Sequence, residues 1–194
     1  DESEQSTYCW KDRRDILFVA GFNHPPNVDG LCWFVDEVLP LVVEVFPDIR
    51  FNVVGANAPK AVMDVASKHV IIHGYLTDEE LALQYNKART VAVPLRFGAG
   101  VKGKVLEALQ HGVPLVTTPI GAEGLPDADV VFNVKETAAD FANELIQLER
   151  GSEERLRKLN RYTDYLNQHF SKSRASEILR RDFGEPYIHR EFNH

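Results

Sequence analysis

Apolar and polar positions along this chain follow two alternating rhythms. Short runs of β-branched and aromatic residues are separated by stretches in which apolar side chains recur every three or four positions. "ILFVAGF" (16–22), "IRFNVVG" (49–55), "VIIHG" (70–74), "VAVPL" (91–95), "PLVTT" (114–118) and "VVFNV" (130–134) read as buried strands. After the first comes "NHPPNVDG", a turn whose Asn27 is a candidate cap for the next helix. In that helix Leu31, Phe34, Val35, Val38 and Val42 share a face. Pro40 predicts a kink or a split, because its ring removes a backbone donor and collides with the preceding turn. "APKAVMDVASK" predicts a modest helix, and Thr77 with Glu80 forms a capping box before "EELALQYNKA". A short helix is expected from about Gly103 to His111. Phe141, Leu145 and Leu148 line one side of the next, and Leu156, Leu159, Leu166 and Phe170 a stripe of the one after, which reads as core packing. A last helix is expected near Ser173 to Phe183.

Strands alternating with helices imply right-handed crossovers and an α/β fold, a doubly wound parallel sheet of about six strands with helices on both faces. Such sheets bind ligands in the crevice outside the carboxyl ends of their strands. The candidate loops therefore follow Phe22, Gly55, Gly74, Leu95 and Thr118. Residues 1–14 are polar and read as a linker from a longer protein, residues 15–183 as the domain, and 184–194 as a polar tail.

Composition narrows the function classes. Net charge is -7, which argues against a general affinity for nucleic acid, since that needs a basic face. The 2 cysteines, Cys9 and Cys32, show no metal-ligand spacing and read as reduced thiols of a cytoplasmic protein. No apolar run approaches the ~18 residues of a membrane helix. None of the 7 histidines suggests a metal cluster. His111 reads as a cap favoured by the helix dipole, His73 as a strand position and Trp33 as helix packing. His24 and Glu123 lie in candidate ligand loops, with roles left open.

The stretch "RFGAGVKGKVLEALQHGVPLVTTPIGAEGL" (96–125) fits two phosphate-binding patterns at once. A P-loop would need Ser or Thr after Lys104 to hold magnesium, and Val105 stands there. A dinucleotide fingerprint would place its first Gly directly at the strand end, but Arg96 and Phe97 intervene before Gly98. The physics shared by both motifs survives. Gly98 and Gly100 let backbone approach a ligand, the following helix presents unpaired N–H groups, and Arg96, Lys102 and Lys104 add cations. A diphosphate suits this place. Spacing puts Glu107 on the Lys104 face of the helix, away from Val105 and Leu109. An acid there suits a ribose diol; a solvated Lys104–Glu107 pair, worth a few tenths of a kcal/mol, is the alternative.

"PLRFGAGVKGKVLEALQHGVPLVTTPIGAEGL", preceded in order by "ILFVAGFNHPPNVDGLCWFVDEVLP", "FNVVG" and "VIIHGYLTDEELALQYNKARTVAVPL", resembles the donor-binding half of a GT-B glycosyltransferase. The family is the large retaining family 4, glycosyl transferases group 1. The resemblance covers roughly residues 15 to 170 and implies the C-terminal, Rossmann-like half of a two-domain enzyme. That half would hold a nucleotide-diphosphate sugar, and a separate N-terminal domain would hold a glycan or lipid-linked acceptor. It implies a diphosphate against Gly98, Gly100, Val101 and Lys102, and Glu107 as the second Glu of the family's Glu-x7-Glu motif, on the ribose. Gly74, Tyr75 and Leu76 would lie near the base, and the loop from Gly21 through Asn23 to His24 would face the phosphates or the acceptor. No cofactor, metal or catalytic residue is assigned. The implied setting is bacterial surface-polysaccharide synthesis, with room for peripheral membrane association through the full-length enzyme.

Two departures from the family pattern stand out. Ala99 occupies the place of the first motif Glu, and "GFNHPPN" lacks the Arg and Lys that many members carry after the first strand. Arg96, Lys102 or Lys104 is expected to supply that charge. These departures keep two alternatives in view: a sugar-nucleotide 2-epimerase-like enzyme, and a non-enzymatic interaction domain with a degenerate site.

Overall fold

In the computed structural model, residues 12–98, 102–151, 161–162 and 164–170 are described. Strands β1 (Arg14–Val19), β2 (Phe51–Val54), β3 (Val70–Gly74), β4 (Ala88–Val93), β5 (Leu115–Thr117) and β6 (Asn133–Val134) form one sheet in the order β3-β2-β1-β4-β5-β6. Every pairing is parallel. β1 is buried on both faces, so its alternate residues serve two cores. Ile16 and Phe18 point to one, Leu17 and Val19 to the other.

The first core is capped by α1 (Pro25–Trp33), a π-helical turn (Phe34–Val38), α2 (Leu39–Val45), α3 (Lys60–Asp64) and α7 (Ala138–Arg150). Aromatic rings lock it together. Phe34 stacks on Phe51 at 4.2 Å between centroids, and Trp33 meets Phe141 edge-on at 5.8 Å. Trp33 is thus helix packing, as its spacing suggests. The second core lies under α4 (Asp78–Lys87), α5 (Lys102–Gln110) and a helical segment described at 161–162 and 164–169. Tyr162, Tyr165 and Phe170 of that segment are buried, so its apolar stripe is core where it is described. Leu156, Leu159 and the helix expected at 173–183 lie outside the described residues.

Pro40 does not end its helix, which runs on from Pro25 to Val45 through the π-helical turn. The hydrogen-bond ladder widens to a five-residue step just before it, with the Leu39 N–H on the Phe34 carbonyl, a relaxation that lets the ring avoid the preceding turn. The capping box at Thr77 and Glu80 is present in full.

Three local expectations are corrected. "HPPN" is not only turn, because α1 begins at Pro25 with His24 at the N-cap; proline suits a first turn, whose N–H groups are unpaired anyway. Asn27 therefore lies inside the helix, buried, where its amide donates to the Gly21 carbonyl at 2.6 Å. Finally, "VVFNV" is a strand only at Asn133–Val134. Its first half belongs to the short α6 (Ala128–Val131), entered through Asp127 in a left-handed conformation at φ 50°.

Candidate functional site

The strand order reverses between β1 and β4. From β1 the chain crosses over one face through α1 and α2, whereas from β4 it crosses the other through α5. A crevice opens at such a switch point because neighbouring loops leave in opposite directions. The β1 and β4 exits meet there. Gly98 has φ +99°, and a Cβ on it would sit 2.7 Å from Pro26 Cγ. Left-handed backbone and close approach both require glycine at this point. Deeper down, a Cβ on Gly30 would meet the Pro94 carbonyl at 2.5 Å, so α1 packs directly on the backbone that leaves β4.

Gly21, Asn23 and His24 are exposed on the β1 loop, and Arg96, Phe97 and Gly98 on the β4 loop. Gly74 ends β3 at φ +72°, its carbonyl accepting from the Gly55 N–H at 2.8 Å. Tyr75 beyond it is 73% exposed, a free aromatic face at the sheet's carboxyl edge, while Leu76 is partly buried against the second core. Gly100 and Val101 lie outside the described residues, and Lys102 opens α5. Lys104 is half-buried in the first turn of that helix. Glu123 is exposed in the loop after β5.

Glu107 is 2% exposed. α5 is enclosed along most of its length, with Val105, Leu106, Ala108 and Leu109 all buried too. Helical spacing separates Glu107 from Val105 but does not reveal that the helix is covered on both sides. A solvated Lys104–Glu107 surface pair is therefore not what the structure holds.

Arg96 is engaged. Its Nε and Nη2 donate to the two carboxylate oxygens of Asp29 at 2.8 and 2.6 Å. The pairing holds the Asp29 carboxyl below its ordinary range and the guanidinium above its own. Asp29 sits on α1, 67 positions away in sequence, and nothing in the sequence pairs the two. Thr118 is a second residue that only the structure brings forward. Its buried hydroxyl donates to the Leu95 carbonyl and accepts from the Gly121 N–H, tying the β4 and β5 exits together.

His111 is not a charged cap. Its ring stacks on Tyr85 at 4.5 Å with planes 3° apart, and burial lowers its pKa to about 4, so it is neutral at pH 7. His73 is a strand residue, its Nε2 2.9 Å from Asn52 Oδ1. Among the described residues, further concavities lie elsewhere. One, at the amino ends of the strands, is lined by Arg14, Asp15, Asp48, Arg50, Lys68 and His69.

The protein-family model for glycosyl transferases group 1 matches residues 13–150, well over half of the chain. The chain belongs to that family. A Klebsiella pneumoniae protein described as an uncharacterized 44.6 kDa protein in the cps region is 34% identical over 118 residues, 57% of this chain and 30% of that protein. The fold matches TarM of S. aureus, solved in complex with UDP, alpha-GlcNAc-glycerol and fondaparinux (TM-score 0.67, 14% identity, 94% of this chain and 38% of that one). It also matches the C-terminal domain of the group 1 glycosyl transferase LpcC from Francisella tularensis (TM-score 0.67, 17% identity, 89% of this chain and 95% of that one). WaaG, a glycosyltransferase of lipopolysaccharide biosynthesis, matches at TM-score 0.62 and 18% identity, over 90% of this chain and 48% of that one. The chain thus spans about a third of the length of TarM and of the Klebsiella relative, and nearly all of an isolated C-terminal domain. Among the described residues no helix is long and apolar enough to cross a membrane.

Proposed function

We propose that this chain is the nucleotide-sugar donor-binding domain of a glycosyltransferase that moves a hexose or deoxyhexose to a glycan or lipid-linked acceptor. The observation that carries this reading is the convergence at the switch point. There the left-handed Gly98 loop lies against the start of α1, and α5 leads away from it bearing Lys104 and Glu107. The N-terminus of α5 and Lys102 or Lys104 hold the diphosphate. Glu107 serves the ribose, and Gly74 to Leu76 flank the base. During transfer the bond from the anomeric carbon to the diphosphate breaks and the acceptor oxygen takes its place. Negative charge then gathers on the departing nucleoside diphosphate, where helix N–H groups and cations are most effective. Retention of configuration, a cytoplasmic setting and a separate acceptor-binding domain belong to the same proposal, and no cofactor beyond the sugar nucleotide is invoked. The cps-region relative favours surface polysaccharide as the product class.

Ligand-observed NMR of the 194-residue chain with UDP, GDP, dTDP, ADP and CMP tests it. Selective binding of one nucleotide is expected, weakened at least tenfold in Glu107→Ala with the fold intact by circular dichroism. Binding of none by the wild-type chain would overturn the reading for this chain.

A further inference from the structure

Three contacts seat the β4 exit on α1: Gly98 against Pro26, Pro94 against Gly30, and Arg96 on Asp29. The first two are close approaches, tight enough that an added Cβ would clash, and set a distance. The third is directional, because a planar guanidinium meeting both carboxylate oxygens fixes orientation as well as distance. On the other side the Leu95 carbonyl is tied by Thr118. The segment between Pro94 and Gly98 is therefore held from α1 and from the β5 exit, and its last residue leads straight into the loop before α5.

We propose that Asp29 is a positioning residue of the donor site, acting through Arg96 to hold the β4 exit, residues 94–98, in its ligand-ready place. This rests on the donor-site reading above. Asp29 is an acid at the edge of a crevice that takes an anion, and alone it would repel a diphosphate. Its two-point pairing with Arg96 cancels that charge locally and turns it into a restraint. The charge that meets the phosphates then comes from the start of α5, and Arg96 is the tether. The pair is partly exposed, with side chains 46% and 28% accessible for Arg96 and Asp29. Such a pair contributes little to global unfolding. A loop is a different matter, since its local opening free energy is small and a modest change alters the fraction in the competent state. Apparent affinity scales with that fraction.

The test is a double-mutant cycle with Asp29→Asn and Arg96→Lys on the 194-residue chain, using whichever of UDP, GDP, dTDP, ADP and CMP the wild type binds. Each single variant is expected to weaken nucleotide binding about fivefold, and the double variant no further than either alone. The urea midpoint should stay put, while the backbone order parameters of Phe97 and Gly98 fall without ligand. The reversed pair Asp29→Arg with Arg96→Asp should recover part of the affinity. Tighter binding in Asp29→Asn would overturn the proposal, because it would mean Arg96 is itself a phosphate ligand restrained by Asp29. So would Arg96→Lys matching the wild type in both affinity and order parameters. Should the wild type bind no nucleotide, the donor-site reading fails on its own. The order parameters at Phe97 and Gly98 still decide whether Asp29 orders the β4 exit.

Discussion

The imidazole of His111 lies flat on the phenol ring of Tyr85, with centroids 4.5 Å apart and planes 3° apart. The pair closes the end of α5 against α4. It also makes the domain's stability depend on pH. Burial lowers the His111 pKa from 6.5 to about 4, with Arg13 adding to the effect. The unfolded chain therefore binds the proton more readily than the folded one. Stability from this group is complete above about pH 6.5 and is lost as pH falls toward 4. Urea unfolding between pH 7.5 and 4.5 should show a loss on the order of 2–3 kcal/mol. His111→Phe keeps a ring on Tyr85 and should flatten that dependence; an unchanged slope would assign it to other groups.

Gly98→Ala should damage the crevice more than the core. At φ +99°, beside Pro26, an added methyl meets both backbone strain and a clash. A cost of about 1–3 kcal/mol is expected. It should appear as a lower thermal midpoint together with loss of nucleotide binding. A variant that binds as well as the wild type would show that the loop adapts and that its shape is not what the ligand reads.

Thr90 points the other way. It is fully buried on β4, and among the described residues its hydroxyl has no hydrogen-bond partner. Burying such a group costs about 1–3 kcal/mol relative to an apolar one. Thr90→Val keeps the branched shape and should be neutral or more stable by up to about 1 kcal/mol, seen as a raised urea midpoint with the slope unchanged. Clear destabilisation would mean that the hydroxyl is satisfied in solution.

Cation position, rather than cation number, should govern nucleotide affinity. Lys102 opens α5 at the carboxyl end of the sheet, while Lys68 lies at the opposite, amino end beside Arg14, Arg50 and His69. Lys102→Ala should weaken nucleotide binding roughly tenfold and reduce its salt dependence. Lys68→Ala should change neither by more than about twofold, because a charge across the domain is screened over a Debye length of about 8–10 Å. Equal effects, measured by titration at two salt concentrations, would remove the α5 N-terminus from the site.

Much of the frame is legible from residue order alone, because a doubly wound sheet writes its strands as continuous apolar runs and its helices as 3.6-residue periods. Five of the six runs coincide with observed strands apart from their ends, and the capping box at Thr77 forms as its pattern predicts. Failures cluster where a local signal competes with tertiary contact. "VVFNV" has strand composition throughout, yet at this edge of the sheet only Asn133 and Val134 find a partner strand. Asn27 has the chemistry of a cap, but Pro25 and Pro26 suit the first turn better and displace it into the helix.

The candidate site divides in the same way. Sequence by itself determined the family, the order of the elements and the loop in which Gly98 must lie, since each is written in consecutive residues or a fixed spacing. Tertiary structure alone decided that Glu107 is buried, that His111 is neutral and that Arg96 is held by Asp29. Each of these depends on what packs against a side chain from a distant part of the chain. Periodicity says which face of a helix is apolar, but only the assembled layers determine whether the other face meets water. Charge counts say that an arginine is present; only the fold says which carboxylate reaches it first.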